Sequence, residues 1–75
     1  MRGAQDETYL RYVAERVREQ RQARGMSRRE LAETAGVSDR YVAQIETGRG
    51  NVSILVLRKL ARALDVPMEH LLPQS

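Results

Sequence analysis

Cysteine, phenylalanine and tryptophan are absent from this chain of 75 residues, which holds one histidine and two prolines. Without cysteine there are no disulfide staples and no thiolate metal sites. Three tyrosines are the only aromatics, little for a sheet core that favours aromatic and β-branched side chains. Ala, Leu, Arg and Glu are abundant instead, and all four favour helix. The longest apolar run, Ile54-Leu55-Val56-Leu57, falls far below the roughly 18 residues of a membrane span. No apolar signal core stands near Met1, so neither membrane insertion nor secretion is expected, and the cysteine-free composition fits a cytoplasmic placement.

What is present describes one small folded domain. Hydrophobic residues make up 41% and charged residues 31%, a balance unlike that of disordered or collagen-like chains. A chain of this size buries roughly 60–65% of its unfolded surface, enough for one modest core. The net charge of +3 hides a choice of residue, because Lys59 is the only lysine beside twelve arginines among the 13 basic side chains. Arginine presents a rigid fork of donors to phosphates and base edges, where lysine is a flexible point charge. Arg16, Arg18, Arg21, Arg24, Arg28 and Arg29 face Glu19 alone across residues 16–29, and that basic block points to a polyanionic partner.

Hydrophobic spacing divides the chain into helices. Residues 1–7 show no periodicity and are expected as a frayed tail, with a single domain over 8–72 and a short tail at 73–75. From Thr8, the positions Leu10, Val13, Ala14 and Val17 follow a helical stripe that Arg21 interrupts, and Gly25 ends the helix. Ser27 to Glu30 fits a capping box for a second helix lined by Leu31, Ala32 and Ala35. Gly36 suits a sharp turn, and Ser38 caps a third helix in which Val42 and Ile45 face inward. Gly48 and Gly50 stop that helix, and Ser53 opens a fourth with the stripe Ile54, Leu57, Leu60, Ala61 and Leu64. Pro67 suits the first turn of a fifth short helix carrying Met68, Leu71 and Leu72.

The second and third helices, joined by a tight glycine turn, form a helix-turn-helix. With Val42 and Ile45 inward, Asp39, Arg40, Tyr41, Ala43 and Gln44 are left outward, on a short helix of the shape that enters a DNA major groove. No Ser-His-Asp set, paired acid site or phosphate-binding glycine loop can be assembled, and His70 lacks companion ligands at metal spacing. An enzyme is not expected, nor a metal or a cofactor.

The stretch from Gly25 to Arg49, with its Leu-Ala, Ala-Gly-Val-Ser and Ile-Glu-x-Gly elements, resembles the Cro/C1-type (XRE) helix-turn-helix family of phage and bacterial repressors. The likeness runs from about Leu10 to Leu72 and includes a later Leu-x-x-Leu-Ala-x-Ala-Leu element. It implies a lambda-repressor-like bundle of five helices and sequence-specific binding of double-stranded DNA at the nucleoid. A narrower stretch, Arg40 to Arg58, resembles the N-terminal module of benzoyl-CoA-responsive repressors, which is joined there to a shikimate-kinase-like effector domain. No stretch of this chain resembles that effector domain.

The resemblance also implies roles. Arg21 and Glu46 match an Arg–Glu pair that links the first and third helices and turns the arginine toward backbone phosphate; a partly buried arginine without a partner would be costly. Arg28 stands where the family usually has a glutamine touching phosphate or a base edge, and its longer, charged side chain is expected on phosphate. Arg40 and Gln44 match base-reading positions, where Arg bonds guanine O6 and N7 and Gln bonds adenine N6 and N7. Asp39 either accepts from cytosine N4 or serves the helix start and Arg40, the structural role being favoured. Tyr41 meets a phosphate or a thymine methyl, and Ala43 meets a thymine methyl or merely avoids a clash. The loop Gly48-Arg49-Gly50-Asn51 suits phosphate clamping through its amides, Arg49 and Asn51.

A repressor acting as a homodimer on a pseudo-palindromic operator is the expected function. Met68, Leu71 and Leu72 either form a dimer patch or complete the core. The alternative is a protein-interaction module, such as the antitoxin of a toxin–antitoxin pair. An RNA-binding or coactivator module would call for lysine-rich arms, which are missing.

Overall fold

The computed structural model describes residues 2–49 and 52–73, with side chains from residue 7 onward. Four α-helices follow one another: α1 (Arg2–Ala23), α2 (Arg28–Ala35), α3 (Asp39–Glu46) and α4 (Ile54–Leu64). A 3-10 helix, Met68–Leu71, closes the chain. No strand occurs among the described residues.

Local chemistry sets most of these boundaries. Three serine caps open α2, α3 and α4: the Ser27, Ser38 and Ser53 hydroxyls accept from the amides of Glu30, Tyr41 and Val56. Each cap contributes about 1 kcal/mol. At Ser27 the box is reciprocal, because the Ser27 amide donates to the Glu30 carboxylate at 2.8 Å. The turn between α2 and α3 depends on Gly36, whose φ of 76° an L side chain rarely adopts. There the Gly36 and Val37 amides both return to the Ala32 carbonyl, at 2.9 and 3.0 Å.

The core gathers one stripe from each helix. Val13 and Val17 of α1 meet Leu31, Ala32 and Ala35 of α2, Val42 and Ile45 of α3, and Leu57, Leu60, Ala61 and Leu64 of α4. α3 packs on both α1 and α2, and α4 packs on α2. Ala32 is 2% exposed, as a small residue at a close helix crossing should be, and Val37 packs against the core at the turn.

Three expectations need correction. α1 begins at Arg2, so helical backbone runs through the stretch expected as a frayed tail. Extending a helix that is already nucleated costs little per residue, and no proline stands in its way. The fifth helix is a single 3-10 turn, because Pro67 and Pro73 bracket too few residues for an α-helix. Ile54 heads the fourth stripe in the sequence yet is 63% exposed, with Leu55 at 58%. Side chains in the first turn lean back toward the helix start and so overshoot the core. Of the two roles left open for Met68, Leu71 and Leu72, the second is the one seen: Leu71 is fully buried, and Met68 and Leu72 are half-buried and pack against the core. Of the tail expected at 73–75, only Pro73 lies within the described residues.

These assignments predict unequal costs for two similar truncations. Leu71→Ala should destabilise the fold by about 2–5 kcal/mol. Ile54→Ala should stay within about 0.5 kcal/mol of the parent. Urea unfolding followed by circular dichroism measures both, and equal losses would contradict the placement of Ile54 outside the core.

Candidate nucleic-acid interface

α3 is only eight residues long and divides sharply into two faces. Val42, Ile45 and Glu46 are buried, whereas Asp39, Arg40 and Gln44 are exposed. Two residues expected outward sit deeper. Tyr41 is half-buried and packs against the core, and Ala43 is half-buried beside the exposed face. Tyr41 lies just before Val42, at the border of the inward stripe, where a large ring gains more by packing than by full exposure.

Glu46 is an acid on the inner face of α3, with a side chain that is 0% exposed. Its carboxylate collects two arginines. Arg21, at the end of α1, donates from Nε to Oε2 at 2.7 Å and from Nη2 to Oε1 at 3.1 Å. The remaining Nη1 of Arg21 donates to the Met26 carbonyl at 2.8 Å. Arg28, the first residue of α2, donates from Nε to Oε1 at 3.1 Å. Arg21 is 12% exposed and Arg28 47%, so the first belongs to the interior and the second to the surface. No buried side-chain nitrogen or oxygen lacks a partner among the described residues.

Around this cluster an open groove runs between the start of α2 and the outer face of α3. Arg21, Ser27, Arg28, Arg29, Asp39, Arg40 and Ala43 line it. The fold therefore brings together five of the sequence-derived candidates: Arg21, Arg28, Asp39, Arg40 and Ala43. Gln44 and Arg49 are exposed outside that lining, and Gly48 takes a φ of 74° at the end of α3. Gly50 and Asn51, also candidates for phosphate contact, lie outside the described residues.

Sequence reasoning missed how the basic block is used. Arg16 donates from Nε to the His70 carbonyl at 2.9 Å and from Nη1 to Glu19 at 2.7 Å. Arg24 donates to the Asp65 carbonyl at 3.2 Å. With Arg21 and Arg28 on Glu46, four of the six arginines in residues 16–29 are engaged with the protein itself. Only Arg18 and Arg29 of that block make no hydrogen bond or ion pair among the described residues. Asp65 ends α4 in the left-handed region with φ 59°, a position the sequence did not mark because glycine is absent there. Helix ends leave carbonyls without partners, and that is the signal that could have drawn arginines to 65 and 70. The described residues hold no cluster of His, Asp or Glu able to bind a metal, and no helix is long and apolar enough to cross a membrane.

A helix-turn-helix family model (HTH_3) matches residues 17–71, and the chain belongs to that family. Uncharacterized HTH-type transcriptional regulators of Mycobacterium tuberculosis are 44% identical over 55 residues, covering 73% of this chain and 39% of theirs. Among solved structures, the restriction-modification controller protein C.AhdI from Aeromonas hydrophila superposes with a TM-score of 0.81 at 40% identity. That match covers 83% of this chain and 94% of C.AhdI. The N-terminal DNA binding domain of SinR from Bacillus subtilis gives 0.78 at 38% identity, covering 84% and 93%. The chain thus spans about two-fifths of its mycobacterial relatives and 58% of the full-length SinR regulator. The Cro/C1-type resemblance stands, while the narrower likeness to benzoyl-CoA-responsive repressors finds no support in these relatives.

The carboxylate at 46 should matter more to stability than its charge alone suggests. Glu46→Ala leaves Arg21 partly buried without its anion and should cost about 3 kcal/mol. For a chain this small, with roughly 4–11 kcal/mol of total stability, that is a large share. Thermal unfolding checks it, and an unchanged midpoint would show that Glu46 does not hold the helices together.

Proposed function

We propose that the chain is a sequence-specific DNA-binding transcriptional regulator that represses by occupying its operator. The observation that carries this reading is the two-faced α3. Its inner face is anchored by Val42, Ile45 and Glu46, which leaves Arg40 and Gln44 exposed on a helix narrow enough for the major groove. Membership of the helix-turn-helix family supports the same reading.

In this arrangement Arg40 bonds guanine O6 and N7, and Gln44 bonds adenine N6 and N7. Asp39, in the first turn of α3, favours the helix start. Ala43 and the rim of Tyr41 contribute apolar contact beside them. Arg28 and Arg49 take backbone phosphates, and Gly50 and Asn51 extend that clamp. Arg21, expected toward phosphate, has its three guanidinium nitrogens taken by Glu46 and the Met26 carbonyl, so it acts from behind, through Glu46. Two copies on a pseudo-palindromic operator, with half-sites about one helical turn apart, complete the geometry. No catalytic step is assigned.

Selection of bound duplexes from a random pool tests the reading directly. Enrichment of a palindromic site is expected, and failure to enrich any sequence would overturn it. With roughly 4–6 phosphates neutralised per module, log affinity should fall by about 0.9 per contact against log salt. Arg40→Ala should lose about 1–3 kcal/mol of discrimination at one base pair. Arg49→Ala should weaken all sequences alike and reduce the salt slope by about 1. Equal losses on selected and random DNA for Arg40→Ala would remove it from the reading set.

A further inference from the structure

Resting on the DNA-binding reading above, we infer that Glu46 is a positioning residue for a phosphate contact made by Arg28. The buried carboxylate holds Arg28 by its Nε at 3.1 Å while its other oxygen holds Arg21 at 2.7 Å. A guanidinium fixed at Nε has only its far end, Nη1 and Nη2, left to offer. Neither of those nitrogens has a hydrogen-bond partner among the described residues, and the side chain is 47% exposed. That end is a planar fork of the kind that matches two oxygens of a phosphodiester.

Electrostatics point the same way. Four arginines, Arg21, Arg28, Arg29 and Arg40, line the groove beside Asp39, with the Glu46 carboxylate behind them. Two anions against four cations leave the groove positive, and Glu46 cannot neutralise both of the arginines it holds. A free arginine must be ordered when it binds, whereas one already held in place loses less freedom on contact. Glu46 thus links the inner anchor of α3 to an outer phosphate contact on α2, through a single pair of oxygens.

A double-substitution cycle tests this, read as affinity for the duplex selected by the parent chain and for a scrambled duplex of equal length. Glu46→Gln should weaken binding to both duplexes by about tenfold, and by much less in an Arg28→Ala background. Additive losses would overturn the proposal, because they would mean that Glu46 serves DNA binding only by bracing α1 against α3. Arg28→Ala should also reduce the salt slope by about 0.9. An unchanged slope with lost discrimination at one base pair would make Arg28 a base reader and overturn the phosphate assignment. If Glu46→Gln fails to fold, Arg28→Lys decides, because it leaves the Arg21–Glu46 pair in place. It keeps the charge and the salt slope but lacks the fork, so affinity should fall about tenfold; parental affinity would overturn the proposal. If the parent chain selects no duplex, the DNA-binding reading itself fails, an outcome distinct from additivity.

Discussion

A single buried carboxylate organises this small fold. Glu46 belongs to α3, yet its oxygens receive N–H groups from α1 through Arg21 and from α2 through Arg28. Removing an ion from water is costly, and attraction to a partner repays that only when geometry and hydrogen bonding are good. Here the Arg21 pair is bidentate, and the third nitrogen of Arg21 closes on the Met26 carbonyl, so little is left unmet. An apolar core tolerates sliding and repacking, whereas a bidentate pair admits one register. The orientation of α3 against the other helices is therefore specified by polar geometry as well as by the fit of Val42 and Ile45.

The same use of arginine recurs along α1. Arg16 and Arg24 reach the carbonyls of His70 and Asp65, tying the first helix to the closing 3-10 turn and to the end of α4. Helix ends expose carbonyls that need donors, and a long arginine can satisfy them while its stem covers apolar surface. The basic density of residues 16–29 is thus in large part internal wiring. Residual positive charge is left instead in the groove lined by Arg28, Arg29 and Arg40.

Features governed by neighbouring residues were legible in the sequence. The three serine caps, the Gly36 turn and the stripes of Val13, Leu31, Ile45 and Leu60 each follow from spacing within a few residues. The Arg21–Glu46 pair came from a family resemblance, since nothing in the spacing of residues 21 and 46 links them. What escaped depends on the third dimension. Ile54 satisfies the helical period but overshoots the core, and Asp65 takes a left-handed turn that usually marks glycine. The second arginine on Glu46 escaped because Arg28 reads as a surface residue at the start of a helix. Only the packing of α2 against α3 brings it within 3.1 Å.

An isolated helix of eight residues is not stable in water, so α3 has no orientation of its own to offer a ligand. Whatever its outer face recognises is aimed by its inner face. Arg40 and Gln44 stand on the same two turns as Val42, Ile45 and Glu46, so a small rotation that disturbs the carboxylate would move both exposed side chains together. Hydrogen-bond geometry to a base edge fails within a few tenths of an ångström and a few tens of degrees. The segment from Ser27 to Gly50 is electrically balanced, four arginines against four acids, so discrimination there cannot come from net charge. It has to come from placement, and the placement is held by the one acid on α3 that solvent does not reach.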